Sequence, residues 1–244
     1  MTDLRADCGS CKALCCVAPM FVRSADFPLS KPAGVPCVHL AGTACSVHDR
    51  LRPLGFAGCV AYDCFGAGQA ISARPLPAQQ MYAALPVLRQ LHELLWYLRE
   101  ASSRAPSASL TAAASRVSAL AASPDLTSVD VPAERARVAP LLTAVSTTVR
   151  PGGADLAGRD LAGADLSGRD LARATFRGAV LIGASLRDAV LVGADFLGAD
   201  LRNADLSGAD LTDALFLTRT QVGGALGSPA TRLPAALDRP PHWA

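Results

Sequence analysis

The chain has 244 residues, half of them hydrophobic, with only 5% aromatics and a formal net charge of +2. That composition excludes a wholly disordered chain and leaves alanine and leucine to fill most of any core. So small a net charge removes the electrostatic case for nucleic acid or an acidic membrane surface as a partner.

In chain order, the first segment is residues 1–72, rich in cysteine, glycine and proline and without a long periodic run. All eight cysteines fall here, as Cys8-x2-Cys11-x3-Cys15-Cys16, then Cys37, Cys45, Cys59 and Cys64. The start of the chain has no apolar stretch before a cleavage site, and no run approaches about eighteen uncharged apolar residues. A cytoplasmic protein without a membrane span is therefore expected. In that compartment dense cysteine reads as metal ligation rather than disulfides.

Two cysteines separated by two residues grip one ion from a single turn, because the short loop aims both thiolates inward. Eight thiolates suffice for two four-coordinate zinc ions, or for one iron–sulfur cluster with residues to spare. The expected metal ligands are Cys8, Cys11, Cys15, Cys16, Cys37, Cys45, Cys59 and Cys64, with zinc as the expected cofactor and an iron–sulfur cluster as the alternative. His39 and His48 are further candidate ligands. The segment offers few large apolar side chains for its length, so metal is expected to supply the stabilisation that burial does not.

The run Cys8, Cys11, Cys15, Cys16, then Cys37-Val38-His39-Leu40, Cys45-Ser46-Val47-His48, Arg52-Pro53, Cys59 and Cys64 resembles the zinc- or iron-chelating cysteine-cluster family. The resemblance covers about sixty residues. It implies chelation and no particular reaction.

Enzyme signatures are missing. The order C-x2-C-x3-C reverses that of radical enzymes using S-adenosylmethionine. The residue four beyond His92 is Trp96, which is not a zinc-protease motif, and the chain holds no P-loop, dinucleotide fingerprint or nucleophile elbow.

Residues 77–149 form the second segment, a helical connector. Leu85, Leu88, Leu91, Leu95 and Leu98 mark one helix over about 77–103, with Pro86 opening or kinking it. A weaker helix is expected over 109–122, between Pro106 and Pro124. A third spans 132–149, with Pro132 and Glu134 in its first turn. Pro151-Gly152-Gly153 ends it.

From Ala154 to Thr218 the sequence reads in thirteen consecutive fives, beginning ADLAG, RDLAG, ADLSG. The central residue is always Leu or Phe; the residue two before it is Ala in eleven units and Arg, at 159 and 169, in two. A period of five belongs to neither an α-helix nor a flat strand; it suits a chain that turns a corner every five residues. Leu156, Phe176, Phe196 and Phe216 lie twenty apart, so a four-sided coil stacks them on one face.

This pattern resembles the pentapeptide-repeat family and implies a right-handed quadrilateral β-helix over 154–228, with an extended tail over 229–244. The expected class is mainly β. The helix over 132–149 is expected to cap one end of the coil, and Leu226, Leu233 and Trp243 the other. Residues 154–218 carry six Arg against ten Asp, most of them in one outer row. Val180 and Val190 interrupt that row.

Three functions are open on these residues. The first is a metal-binding scaffold or protein-interaction protein presenting a short β-helix surface to a protein partner. The others are an iron–sulfur or metal-dependent redox enzyme or subunit, and a DNA-mimicking gyrase-binding protein.

Overall fold

The computed structural model describes residues 3–243. Residues 1, 2 and 244, at the outer ends of the expected first domain and tail, lie outside the described residues. The chain divides into two compact units, Met1–Phe56 with Asp63–Val145, and Ala57–Tyr62 with Ser146–Ala244.

The first unit is built on helices. A short helix α1 (Leu14–Val17) follows a 3-10 turn at Cys8–Ser10, and a two-stranded antiparallel hairpin pairs β1 (Leu40–Ala41) with β2 (Ala44–Cys45). The short helix α2 (Ala57–Ala61) belongs to the other unit. Then come α3 (Ala67–Ser72), the long α4 (Ala78–Arg104), α5 (Ala108–Ala121) and α6 (Val131–Val149).

The leucine spacing explains α4. Leu85, Leu88, Leu91, Leu95 and Leu98 are all buried, as are Met81, Ala84 and Ala101. The helix continues through Pro86, which removes one N–H from the ladder without ending it. Helices α1, α3 and α5 all pack on α4. Ser107 caps α5 by accepting the Leu110 N–H at 3.2 Å.

Residues 1–72 do have an apolar core, contrary to the expectation that metal must stand in for one. Leu4, Leu14, Val17, Phe21, Val47, Leu51, Phe56, Phe65 and Ile71 are buried. Phe21 stacks on Phe27 with ring centroids 4.3 Å apart. Lys31 is buried as well. Its Nζ lies 4.8 Å over the Phe21 ring and donates to the carbonyls of Val17 at 3.0 Å and Pro32 at 3.2 Å. One ammonium thereby closes a loop that has almost no regular structure.

In the second unit the fives turn a corner each. Each corner is closed by an N–H of one unit donating to a carbonyl of the unit before it, as from Ala174 to Leu171 at 3.0 Å. Layers twenty residues apart are joined by parallel bridges, such as Asp155 with Thr175, Thr175 with Asp195 and Val180 with Asp200. The central Phe176, Leu181, Leu186, Leu191, Phe196, Leu201, Leu206 and Leu211 face inward and are buried.

The fifth residue of the unit takes a left-handed conformation, with φ between 54° and 73° at residues from Gly158 to Asp213. This is why Gly, Asn and Asp recur there.

The expected class, mainly β with a right-handed quadrilateral β-helix, is overturned. Among the described residues helix accounts for 37% and strand for 9%, and the sheet is the open two-stranded pair β1–β2. The reason lies in the corner itself. It consumes most of each five-residue side, so a single residue per side is left to bridge to the next layer and no continuous strand forms. The region is a stack of turns.

At the start of the stack, Ser146 and Arg150 of the α6 end bond to it. Ser146 Oγ donates to the buried Asp195 carboxylate, which Arg177 also holds at 3.0 Å, and Arg150 donates to the Arg173 carbonyl. Arg159 and Arg169 are exposed. After the last unit comes α7 (Arg219–Gly224), capped by Thr218 and Gln221 in a reciprocal capping box and packed on α2. The chain end folds back so that the buried Trp243 lies against Gly227 and its indole N–H donates to the Ala225 carbonyl at 3.2 Å.

Candidate functional site

The chemistry-bearing residues of the first unit sit where its N-terminal segment meets α3. Gln69 reaches back from α3, donating to the Arg5 carbonyl at 2.7 Å and accepting the Asp7 N–H at 3.2 Å. Asp7 then caps the 3-10 turn that carries Cys8, accepting from the Gly9 N–H and the Ser10 hydroxyl. Ser72, at the other end of α3, accepts the Lys12 N–H at 2.9 Å and donates to Cys11 Sγ at 3.8 Å.

Between them, Gly66 and Gly68 allow the close approach. A Cβ on Gly66 would lie 2.4 Å from the Asp3 carbonyl oxygen. One on Gly68 would lie 2.9 Å from Cys11 Sγ and 3.6 Å from Cys64 Sγ. The two sulfurs thus lie against the same face of one glycine.

None of the eight cysteines is joined in a disulfide. Cys8 is within electrostatic reach of Cys11, Cys15 and Cys64. Cys15 and Cys16, both on α1, hold their sulfurs 4.0 Å apart, and the Cys37 N–H donates to the Cys16 carbonyl at 3.0 Å. Cys45 lies on β2, and Cys59 belongs to α2 in the other unit. His39 packs edge-on against Phe56 with centroids 5.4 Å apart, and His48 is exposed in a 3-10 turn.

These placements overturn the expected zinc or iron–sulfur centre. Among the described residues, no group of three or more His, Cys, Asp or Glu side chains is arranged to hold a metal ion. With that, the expected cysteine-cluster domain, the metal-binding scaffold and the metal-dependent enzyme lose their support. The scaffold and DNA-mimic readings that needed a β-helix surface fall with the β-helix.

Burial raises the pKa of Cys8, and the neighbouring Cys15, Cys64 and Cys11 raise it further. The sulfur–sulfur hydrogen bond to Cys16, followed by burial, raises that of Cys15. Burial raises Cys64 against the opposing backbone N–H groups of Gly68 and Gly66. Thiols so held stay protonated at neutral pH, which slows but does not abolish their attack.

Sequence reasoning missed Gln69, Ser72, Gly68 and Lys31. Its only available signal was the run Gly66-Ala67-Gly68, small residues that permit close backbone approach.

In the stack, the aspartates of this row serve the turns. Asp155, Asp160, Asp165, Asp170, Asp195, Asp200, Asp205 and Asp210 each accept the N–H two residues on, at 2.8–3.1 Å. Val190 is exposed among them. No helix among the described residues is long and apolar enough to cross a membrane.

Comparison with known proteins places the repeat. Residues 152–188 and 179–216 match the family model for pentapeptide repeats, in eight copies. The chain is 48% identical over 112 residues to the uncharacterized protein YybG of Bacillus subtilis (strain 168), covering 41% of this chain and 40% of that protein. The chain thus spans two fifths of the length of that curated relative.

Solved structures are similar over the same kind of region. A pentapeptide-repeat protein of the Arabidopsis thaliana thylakoid lumen is 36% identical, covering 36% of this chain and 63% of the other, at a TM-score of 0.30. Rfr23 of the cyanobacterium Cyanothece 51142 is 33% identical, covering 32% and 56%, at a TM-score of 0.26.

Proposed function

We propose that the first unit is a thiol–disulfide redox responder in which Cys11 and Cys64 are the exchanging pair. The observation that carries this is the position of both sulfurs against Gly68. Ser72 holds Cys11 from one side, and the turn into α3 holds Cys64 through the Ala67 N–H, which donates to its carbonyl at 2.9 Å.

The oxidant is a low-molecular-weight disulfide. One thiolate attacks it and releases one small thiol, and the second cysteine displaces the other small thiol. Two S–H bonds become one S–S bond, and the two electrons reduce the oxidant to two thiols. Because Cys64 starts protonated at neutral pH, the exchange is slow there and quickens as pH rises. Such a pair suits a responder that follows a sustained oxidising poise better than a catalyst that turns over.

The test is to equilibrate the reduced full chain in graded glutathione redox buffers, alkylate the remaining thiols and map the peptides by mass spectrometry. A Cys11–Cys64 cross-link that dithiothreitol reverses is the expected product. Full alkylation of both cysteines under oxidising poise, or glutathione adducts without a cross-link, would sink the reading.

A further inference from the structure

Cys15 and Cys16 are successive residues of a helix, where neighbouring side chains ordinarily splay by about 100°. Here their sulfurs converge to 4.0 Å. The backbone around them is fixed. Ala13 enters α1 in the left-handed region at φ 54°, the Cys16 N–H donates to its carbonyl at 2.9 Å, and the Cys16 carbonyl accepts the Cys37 N–H. Leu14 and Val17 on either side of the pair are buried, whereas the two cysteines are only half-buried.

A disulfide does not suit this pair. Consecutive Cα atoms lie about 3.8 Å apart across a trans peptide, short of the roughly 4.4–6.8 Å that disulfides usually span. A divalent metal does not suit it either, since zinc asks for four ligands and the pair offers two. A single soft atom that accepts two sulfurs meets both limits.

We infer that Cys15 and Cys16 form a dithiol clamp for a trivalent arsenical. An aryl arsenoxide condenses with the two thiols: two S–H bonds and the As=O bond are lost, two As–S bonds form and one water leaves. Arsenic stays trivalent, so no oxidant or reductant takes part. The inference does not rest on the disulfide chemistry of Cys11 and Cys64, which uses other sulfurs.

Phenylarsine oxide is the probe. The full reduced chain is titrated with it, the uncovered thiols are alkylated, and peptides are mapped. One equivalent is expected to protect Cys15 and Cys16 together, with release by 2,3-dimercaptopropanol and not by an excess of a monothiol. Cys15→Ser is expected to weaken binding by about tenfold or more, whereas Cys45→Ser leaves it unchanged. Protection that maps to other cysteines in the unmodified chain would overturn the inference without recourse to any variant, and so would full affinity in Cys15→Ser.

Discussion

Phe176 and Phe196 lie twenty residues apart and stack with ring centroids 5.2 Å apart and planes within 10° of parallel. Both are fully buried, with Ala174 and Ala194 beside them small enough to admit the rings. Truncating one ring empties the centre of a layer that has no neighbouring strand to collapse into the space. Phe196→Ala should therefore cost about 3–5 kcal/mol. Asp200→Ala, which removes a half-exposed turn acceptor, should cost about 1 kcal/mol. Thermal unfolding of the two variants checks this, and equal losses would contradict the stacked layer.

The stacking was legible because a five-residue period places every Phe of the repeat in one column. The helices were legible for a similar reason, since the leucines of α4 recur at helical spacing. The class of the stack was not. The period reveals that the chain turns, but not that the turn leaves a single bridging residue per side, as at Asp155 and Thr175. Nor was the thiol site. Cysteine density in residues 8–64 suggested ligands, yet Cys59 falls in the other unit and Cys45 on the hairpin. What brings Cys11 and Cys64 together is Gly68, with Ser72 on Cys11 and Gln69 on the segment before it, three residues in no repeating pattern.

Glycines in the stack differ in what they tolerate. Gly168 sits at φ 65° with nothing within 4 Å of a would-be Cβ, so Gly168→Ala meets only the left-handed penalty of about 1–2 kcal/mol. At Gly153 a Cβ would lie 1.7 Å from the Arg173 carbonyl oxygen and 2.3 Å from its carbon. Backbone cannot rotate away as a side chain can. Gly153→Ala should lower the melting temperature of the stack further than Gly168→Ala, and the reverse order would show that the first layer is not seated as described.

The aspartate row gives the stack a pH dependence. Asp200 is held below the usual 3.8 chiefly by its bond from Arg202, against partial burial. Asp210 is lowered chiefly by Thr212, with help from Arg232. For Asp205 burial works upward, and the bonds from Ser207 and Arg187 outweigh it. A carboxylate whose folded pKa is depressed contributes stability above its unfolded pKa and loses it as pH falls through the folded one. Thermal stability should be flat from neutral pH down to about pH 5 and fall below about pH 4. Asp200→Asn with Asp210→Asn should flatten the acid limb, and an unchanged slope in that double variant would assign the acid loss elsewhere.

Glu134 carries the corresponding charge in the first unit. Its carboxylate is fully buried in the first turn of α6, 2.7 Å from Arg116 Nη2 of α5 and 3.2 Å from Arg137 Nη1. The Arg116 hydrogen bond, opposed by burial and aided by Arg137, holds its pKa below the usual 4.5. The helix N-terminus favours the same charge. The two arginines differ in what they lose if unpaired. Arg137 is 63% exposed, so water replaces its partner and Arg137→Ala should cost about 0.5 kcal/mol or less. Glu134→Gln keeps the shape but removes the charge from a buried site that two cations face, and should cost about 1–3 kcal/mol. Because the folded pKa is the lower one, the wild-type advantage over Glu134→Gln should be constant above about pH 5 and vanish on acidification. Urea unfolding of the full chain at pH 7 and pH 3 measures both effects. Equal stability of the wild type and Glu134→Gln at pH 7 would show that the buried carboxylate does not hold α5 to α6.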